Sequence, residues 1–468
     1  MNRRDFLFNA ALAGGGGVLM FGGFSRRANI FAETKKFEAL RAVGFGELSP
    51  VAARNTGETF LALPKGFEYK VFGKVGDVMT DKQKTPPAHD AMATFQVQGD
   101  LRIVRNHEVY NRFPSDGAAI GANNHYDPTA GGGTTTLVIN RKSREIVKDF
   151  VSLSGTLNNC AGGATAWGSW ISCEETTFGQ TKYVAKDGKE VGGFAEPHGY
   201  CFEVSAAADT NLPPVPLKAM GRFVHEAVAV DRKTGIVYET EDNNPAGFYR
   251  FVPNRKKRLA EGGTLQVLAI KDQPNYDTRN GQKTGATFTT VWLKIKNPDP
   301  DEADTDSSAV FKQGMKNGAA LFNRLEGCFP ARNGQIYFAS TSGGDSKCGQ
   351  IWLYEPARRD AGRLTLVFES PDRQILDMPD NICLHPKNNL IFMCEDSDYK
   401  FAELPENYIR ILSPNGKVAD FAKNITPGRE TSEFAGATFS KDGKTLFVNI
   451  QTAGVTLAIW GDWKNFRN

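Results

Sequence analysis

Residues able to do chemistry concentrate first in Leu157–Glu175, LNNCAGGATAWGSWISCEE. A cysteine follows two asparagines there, and two adjacent carboxylates begin fourteen residues after it. Between them lie a glycine-rich turn and the apolar run Ala166–Cys173, too short and too rich in Trp, Ile and Ser for a helix. The run reads as a strand that returns the chain to where the stretch began. One thiolate and two carboxylates are thereby brought towards one end of one sheet. A soft sulfur donor beside hard oxygen donors points to a metal site, with the thiolate favouring a transition metal and the carboxylates calcium, magnesium or ferric iron.

Five other segments share this outline: Asp90–Glu108, Glu226–Asp242, Glu326–Ser342, Asp380–Asp396 and Glu433–Gln451. Each starts on a polar or acidic residue, runs through small and apolar residues, turns at a Gly/Asn/Asp/Lys cluster and climbs an apolar strand. Most end on acids, as at Glu108, Glu241 and the pair Glu395–Asp396, whereas the fourth ends on Ser340-Thr341-Ser342. The onsets are 53 to 70 residues apart except for a gap of 100 after Glu226, which marks an insertion at about 260–320. Repeated short strands with turn chemistry between them predict an all-β, six-bladed β-propeller with irregular blades and inserted loops. Residues at the mouths of the innermost strands then form a ring of Asp90, Cys160, Glu226, Glu326, Asp380 and Glu433. Five acids around one axis repel one another unless cations lie between them.

The elements around this core divide the chain. Residues 1–32 carry Arg3-Arg4 before a mild, glycine-rich apolar stretch, the pattern of a twin-arginine export signal. Four consecutive glycines argue against a cytoplasmic helix there. Export by the twin-arginine machinery places the protein in the periplasm or outside the cell, or at the membrane if the leader is retained. Residues 33–84, with the alternating Phe67–Phe72, are expected to close the propeller or pack beneath it, and 85–468 form the propeller itself. No later stretch is long enough to span a bilayer. With 40% hydrophobic and 23% charged residues, 48 glycines and a net charge of +3, the composition is that of a turn-rich globular protein, with no electrostatic case for nucleic acid. No outer face reads as an interface, so a monomer is expected.

Among seven cysteines, Cys173 and Cys394 read as core residues at equivalent strand positions. A disulfide among Cys201, Cys328, Cys348 and Cys383 stays open, and Cys160 alone occupies the ring. Asn106 and His107 stand beside Glu108, either as donors to a bound anion or as a structural pair. Arg324 lies two residues before Glu326, on the same side of a strand, where a guanidinium could grip an anionic substrate or form a structural ion pair. The acidic run Asp299–Asp306 lacks the glycine and final glutamate of an EF-hand and reads as a solvated loop. No nucleophile elbow, His-Glu-x-x-His, Walker A loop or Rossmann fingerprint is present, and six histidines are too few for a histidine-rich metal centre. Iron with calcium satisfies both donor types, and such a site could bind a phosphate ester and provide the nucleophile itself.

Asn158–Glu175, Gly221–Ala227 (GRFVHEA), Asn323–Gly327 (NRLEG) and Glu433–Gly454 resemble the PhoX-type alkaline phosphatases, as does the leader. The resemblance covers roughly residues 85–465. It implies a six-bladed propeller with ferric and calcium ions at its axis, and hydrolysis of phosphomonoesters outside the cytoplasm by a metal-bound oxide. Carried onto this chain, it implies Cys160 as the iron-bridging thiolate and Glu226 and Glu326 as iron or calcium ligands. It further implies Glu174, Glu395 and Asp396 around calcium, and Arg324 on phosphate. Two other readings use the same ring: a calcium-dependent lactonase-like hydrolase, and a binding protein that calcium merely stiffens. Neither needs Cys160.

Overall fold

The computed structural model describes residues 37–113, 117–119, 121, 124–185, 188–357, 361–397 and 406–468. The expected twin-arginine leader, residues 1–32, lies outside them. The compact unit Ala42–Asn468 carries the sheets. It is all-β and propeller-like. Successive antiparallel meanders each start with a strand at one edge of its sheet: His89–Val97, Asn159–Ala164, His225–Val230, Leu325–Pro330, Pro379–Leu384 and Phe434–Phe439. Each of these inner strands packs against the inner strand before and after it, and the last packs against the first. Their alternation of small and branched residues suits this close approach. A Cβ on Gly163 would meet the Val228 carbonyl oxygen at 1.9 Å, and one on Gly327 would meet that of Asp380 at 2.5 Å.

The flanking segments serve the same sheets. Glu68–Phe72 pairs with Val455–Trp460 and so joins the start of the chain to its C-terminal sheet. Leu48–Val51 and Leu61–Pro64 extend a neighbouring sheet beyond Val418–Asn424. The inserted region supplies outer strands, Gly263–Ile270 and Thr287–Lys294, the second of which bridges to Gly362–Glu369 of the next meander. It also holds a short helix, Ala309–Lys316. Three of the five acids of 299–306 are spent on protein partners: Asp299 on the Tyr200 hydroxyl, Asp304 on Arg222, Asp306 on Ser308 and Lys312, while Asp301 and Glu302 are exposed.

Between the sheets lie large apolar side chains. Trp352, Phe338, Phe248 and Tyr354 form one cluster, and Phe392, Phe421 and Phe439 surround Trp463 in another. Each such ring, buried, is worth roughly 1.5–3 kcal/mol. An axial cavity of about 1510 Å³ is lined by small residues of the inner strands, among them Ala91, Ala161, Ala227, Gly327, Asn381 and Ala437. The polar ring residues one position earlier do not line it. They face the other end of the axis.

Candidate metal centre

A β-bulge places the ring. In the first five inner strands the register against the second strand shifts just after the first residue, leaving two residues opposite one. The first of each bulged pair is Asp90, Cys160, Glu226, Glu326 or Asp380. A bulge re-aims its side chain out of the pleat. The sixth strand bulges one residue later, between Ala435 and Thr438. Its equivalent position is therefore Gly436, and Glu433 reaches the centre from the preceding loop. Gly436 has φ +68, and a Cβ there would crowd the Asp90 carbonyl oxygen at 2.7 Å. Four residues two positions before the ring, Ala88, Asn158, Arg324 and Met378, sit at φ 46 to 49. Left-handed conformations at non-glycine residues cost about 1–3 kcal/mol each and collect at functional sites.

A second tier comes from the residues that end the second strands. The backbone N–H of Glu108, Glu175, Asp242, Thr341 and Asp396 donates to the carbonyl of Ala88, Asn158, Val224, Arg324 and Met378 respectively, at 2.9 to 3.0 Å. These five residues, with Gln451 as the sixth, hang over the ring. Donor atoms of Cys160, Glu175 and Glu226 lie within 4.8 Å of one another. So do those of Asp90, Glu108 and Glu433, of Glu175, Asp242 and Glu326, and of Glu226, Glu326 and Asp380. The Cys160 thiol is 2.5 Å from Glu226 Oε2. Burial, and then the neighbouring carboxylates, push Asp90, Glu175, Glu226, Glu326, Asp380 and Glu433 well above the ordinary carboxylate range, and Glu108 up to about 7. Burial and Glu226 likewise raise the Cys160 thiol. So many acids in contact fit multivalent cations, and the thiol within an otherwise all-oxygen set fits a transition metal among them.

Arg324 is the cation at this mouth. Its Nε and Nη2 fork onto Asp242 at 2.9 Å each, and Nη2 also meets Glu326 Oε1 at 3.1 Å. Burial works against the charge, but Glu326 and Asp242 outweigh it and raise its pKa. The side chain is still 39% exposed, so the guanidinium can meet a ligand from solvent. Asn158 Nδ2 donates to Glu175 Oε2 at 3.1 Å, and Gln451 Nε2 to Glu108 Oε2 at 2.6 Å, fixing two of the overhanging acids.

Several expected site residues lie elsewhere. Glu174, Glu241 and Glu395 precede the overhanging residues by one position, and a one-residue step on a strand reverses the side chain. Glu174 accepts from Leu157 N, His198 Nδ1, Gly199 N and Tyr200 N. Glu241 accepts from Gly247 N and the Tyr249 hydroxyl. Glu395 accepts from Asp377 N, Tyr408 N and Arg410 Nε. Asn106 is fully committed: Nδ2 donates to the carbonyls of Cys160 and Ala161, and Oδ1 accepts from Trp170 Nε1 and Ser172 Oγ. It braces the Cys160 bulge from behind. His107 is buried between the Pro87 carbonyl and Thr135 Oγ1. Neither residue is free to donate to an anion. Glu175 enters the sequence reading only as one of the two carboxylates that close the first stretch, with Glu174 taken as the ligand, and Asp242 is not singled out there. Aligning each repeat on Glu108, the residue after the strand, would have found both.

The family model for alkaline phosphatase PhoX matches residues 43–454. No curated protein sequence matches the chain. Among solved structures, the PhoX of Pseudomonas fluorescens in complex with vanadate, a transition-state analogue, is 19% identical with a TM-score of 0.64, covering 89% of this chain and 98% of that one. A gluconolactonase of Xanthomonas campestris is 11% identical with a TM-score of 0.41, covering 89% and 98%. An auxiliary nutrient-binding protein of Bacteroides ovatus is 9% identical with a TM-score of 0.41, covering 84% and 76%. The last two likenesses are too weak to bear on function. The match along nearly the whole described chain places this protein in the PhoX alkaline phosphatase family.

Proposed function

We propose that this phosphatase hydrolyses phosphate monoesters, and some diesters, outside the cytoplasm, at an iron–calcium centre on the axis of a six-bladed propeller. The observation that carries this reading is the meeting of the Cys160 thiol with Glu175 and Glu226, beside groups made of carboxylates alone. Cys160, Glu175 and Glu226 would hold ferric iron. Asp90, Glu108 and Glu433 would hold calcium, and Asp242, Glu326 and Asp380 would complete the centre. When bound, such cations neutralise the acids, polarise a phosphoryl group and supply the nucleophile that no side chain here offers. The chain's own residues do the rest. Arg324, steadied by Asp242 and Glu326, binds phosphoryl oxygens and orients them. Asn158 and Gln451 hold Glu175 and Glu108 in place. Burial of the ring keeps bulk water from its donors.

The twin-arginine pattern supports export of the folded, metal-loaded chain, and no helix among the described residues is long and apolar enough to cross a membrane. The substrates are small phosphorylated molecules rather than nucleic acid, and the protein acts as a monomer. Natively exported protein tests the reading. Near-stoichiometric iron together with calcium, and turnover of p-nitrophenyl phosphate, are expected. Calcium without iron would sink it, because a calcium-only hydrolase or binding protein has no use for Cys160.

A further inference from the structure

Behind the ring lies a second group of metal-ligating side chains that the phosphatase centre does not use. Cys201 begins the strand Cys201–Ser205, His225 begins His225–Val230, and Glu239 lies within Val237–Glu241. Donor atoms of these three lie within 4.8 Å of one another, and all three residues are buried. The Cys201 thiol is 3.5 Å from His225 Nδ1, which is 3.5 Å from Glu239 Oε2. Cys173, directly opposite Cys201 in the register, places its sulfur 3.6 Å from that of Cys201.

Two independent features point to a ligand. Both carboxylate oxygens of Glu239 are buried without a hydrogen-bond partner, and the residue is 0% exposed. A carboxylate so placed is costly to bury unless a cation meets it. His225 is also set up as a ligand. Its Nε2 lies 3.1 Å from the Gly221 carbonyl, so that nitrogen carries the proton and Nδ1 presents its lone pair to Cys201 and Glu239. The spacing suits a tetrahedral ion. Zinc bonds of about 2.3 Å to sulfur and about 2.0–2.2 Å to nitrogen or oxygen put neighbouring ligand atoms about 3.3–3.8 Å apart.

We propose that Cys201, His225 and Glu239 form a closed structural site for a zinc-class divalent cation, with Cys173, whose sulfur lies beside that of Cys201, turning in as the fourth donor when the ion binds. The cation would staple the sheet carrying the two cysteines to the sheet carrying His225 and Glu239. His225 directly precedes Glu226, so the staple would also fix the backbone that aims one ring carboxylate. Binding releases the thiol protons to solvent, and no oxidation is involved.

Elemental analysis of the full-length protein, expressed with zinc supplied, tests this against two variants and a control. One equivalent of zinc is expected in the wild type and in Cys160→Ser. It should fall at least fivefold in Cys201→Ala and in Glu239→Gln, with melting temperature falling alongside. Absence of zinc from the wild type, or its loss from Cys160→Ser with retention in the other two, would overturn the site. A Cys173–Cys201 disulfide found by mass spectrometry after alkylation would do the same. Should Cys201→Ala fail to fold, the isosteric Glu239→Gln decides alone.

Discussion

Three pairs of adjacent acids end second strands: Glu174–Glu175, Glu241–Asp242 and Glu395–Asp396. Their members have nothing in common but sequence. In each pair the first acid is buried in its strand and accepts from N–H and O–H donors around the sheet's loops, at both oxygens of Glu174 and Glu395 and at Oε2 alone of Glu241. The second has left the strand and leans over the axis, where Glu175 and Asp242 meet other acids. Ser340 and His107 behave like the first acids. Ser340 donates to the Asn323 carbonyl and His107 to that of Pro87, each tying the loop before an inner strand to its sheet. The same residue type thus serves as scaffold at one position and as candidate ligand at the next. What separates the two is how far protein donors already satisfy the charge, fully at Glu174 and Glu395 and at one oxygen at Glu241.

The largest expected effect comes from removing the donor with no scaffold counterpart. Cys160→Ser should lower phosphatase kcat by at least about 10³-fold, equivalent to several kcal/mol of lost metal assistance. Iron content should fall with it while melting temperature stays close to wild type. Unchanged metal and turnover would remove Cys160 from the centre.

Paired substitutions test the contrast itself. Glu175→Gln should cost metal and about 100-fold in activity, with the fold kept. Glu174→Gln should leave metal content near wild type but destabilise the protein by about 3 kcal/mol, because buried donors lose a charged acceptor. Inverted results, with metal lost from Glu174→Gln and stability lost from Glu175→Gln, would mean that the strand parity assigned to the two acids is reversed. Chemical denaturation and elemental analysis of both variants decide it.

Much of this arrangement is legible in the sequence. Six recurrences of a small apolar run, a turn and an apolar strand announce the meanders, and an acid or cysteine heads five inner strands where the structure has one. Three details are not legible because they depend on backbone register or on distant partners. The sixth ring position is Gly436, which has no side chain to betray it, so the nearest acid, Glu433, reads as its substitute. The choice within each acid pair turns on one residue of register, invisible until the bulges are aligned. For Asn106 and His107 the choice between anion donors and a structural pair stays open in the sequence, because the partners that settle it as structural, from Cys160 to Trp170 and Thr135, come from strands far along the chain. The acidic run Asp299–Asp306 reads as solvated, which holds for Asp301 and Glu302, whereas Asp299, Asp304 and Asp306 are tied to Tyr200, Arg222 and Lys312.

Arg324 stands between the two kinds of residue, since it touches the overhanging Asp242 and the ring acid Glu326 while remaining partly exposed. Arg324→Ala should lower kcat/KM by about 100-fold and weaken inhibition by inorganic phosphate, with Arg324→Lys recovering part of the loss. A fall in melting temperature as the dominant effect, with phosphate inhibition intact, would make the residue a structural partner of the acids instead.

The smallest effect is a slope of stability against pH on the scaffold side. His198 lies with Nδ1 2.6 Å from Glu174 Oε1 and Nε2 3.4 Å from Asp127 Oδ2, fully buried. Burial disfavours its imidazolium, but the carboxylates of Glu174 and Asp127 outweigh that and raise the pKa to about 9. An unfolded histidine titrates near about 6.5. Between these values the folded chain holds a proton that the unfolded chain has released, so folding loses stability as pH rises. The contribution is fully present below about pH 6.5 and gone above about pH 9. Melting temperature should therefore fall by a few degrees across that window in wild type. In His198→Gln, which cannot titrate, the same window should be flatter. Equal slopes in the two proteins would show that the charge held between Glu174 and Asp127 does not depend on His198. In that case Glu174 would be held by the backbone donors of Leu157, Gly199 and Tyr200 rather than by a charged partner, and the scaffold side would be satisfied by neutral hydrogen bonds alone.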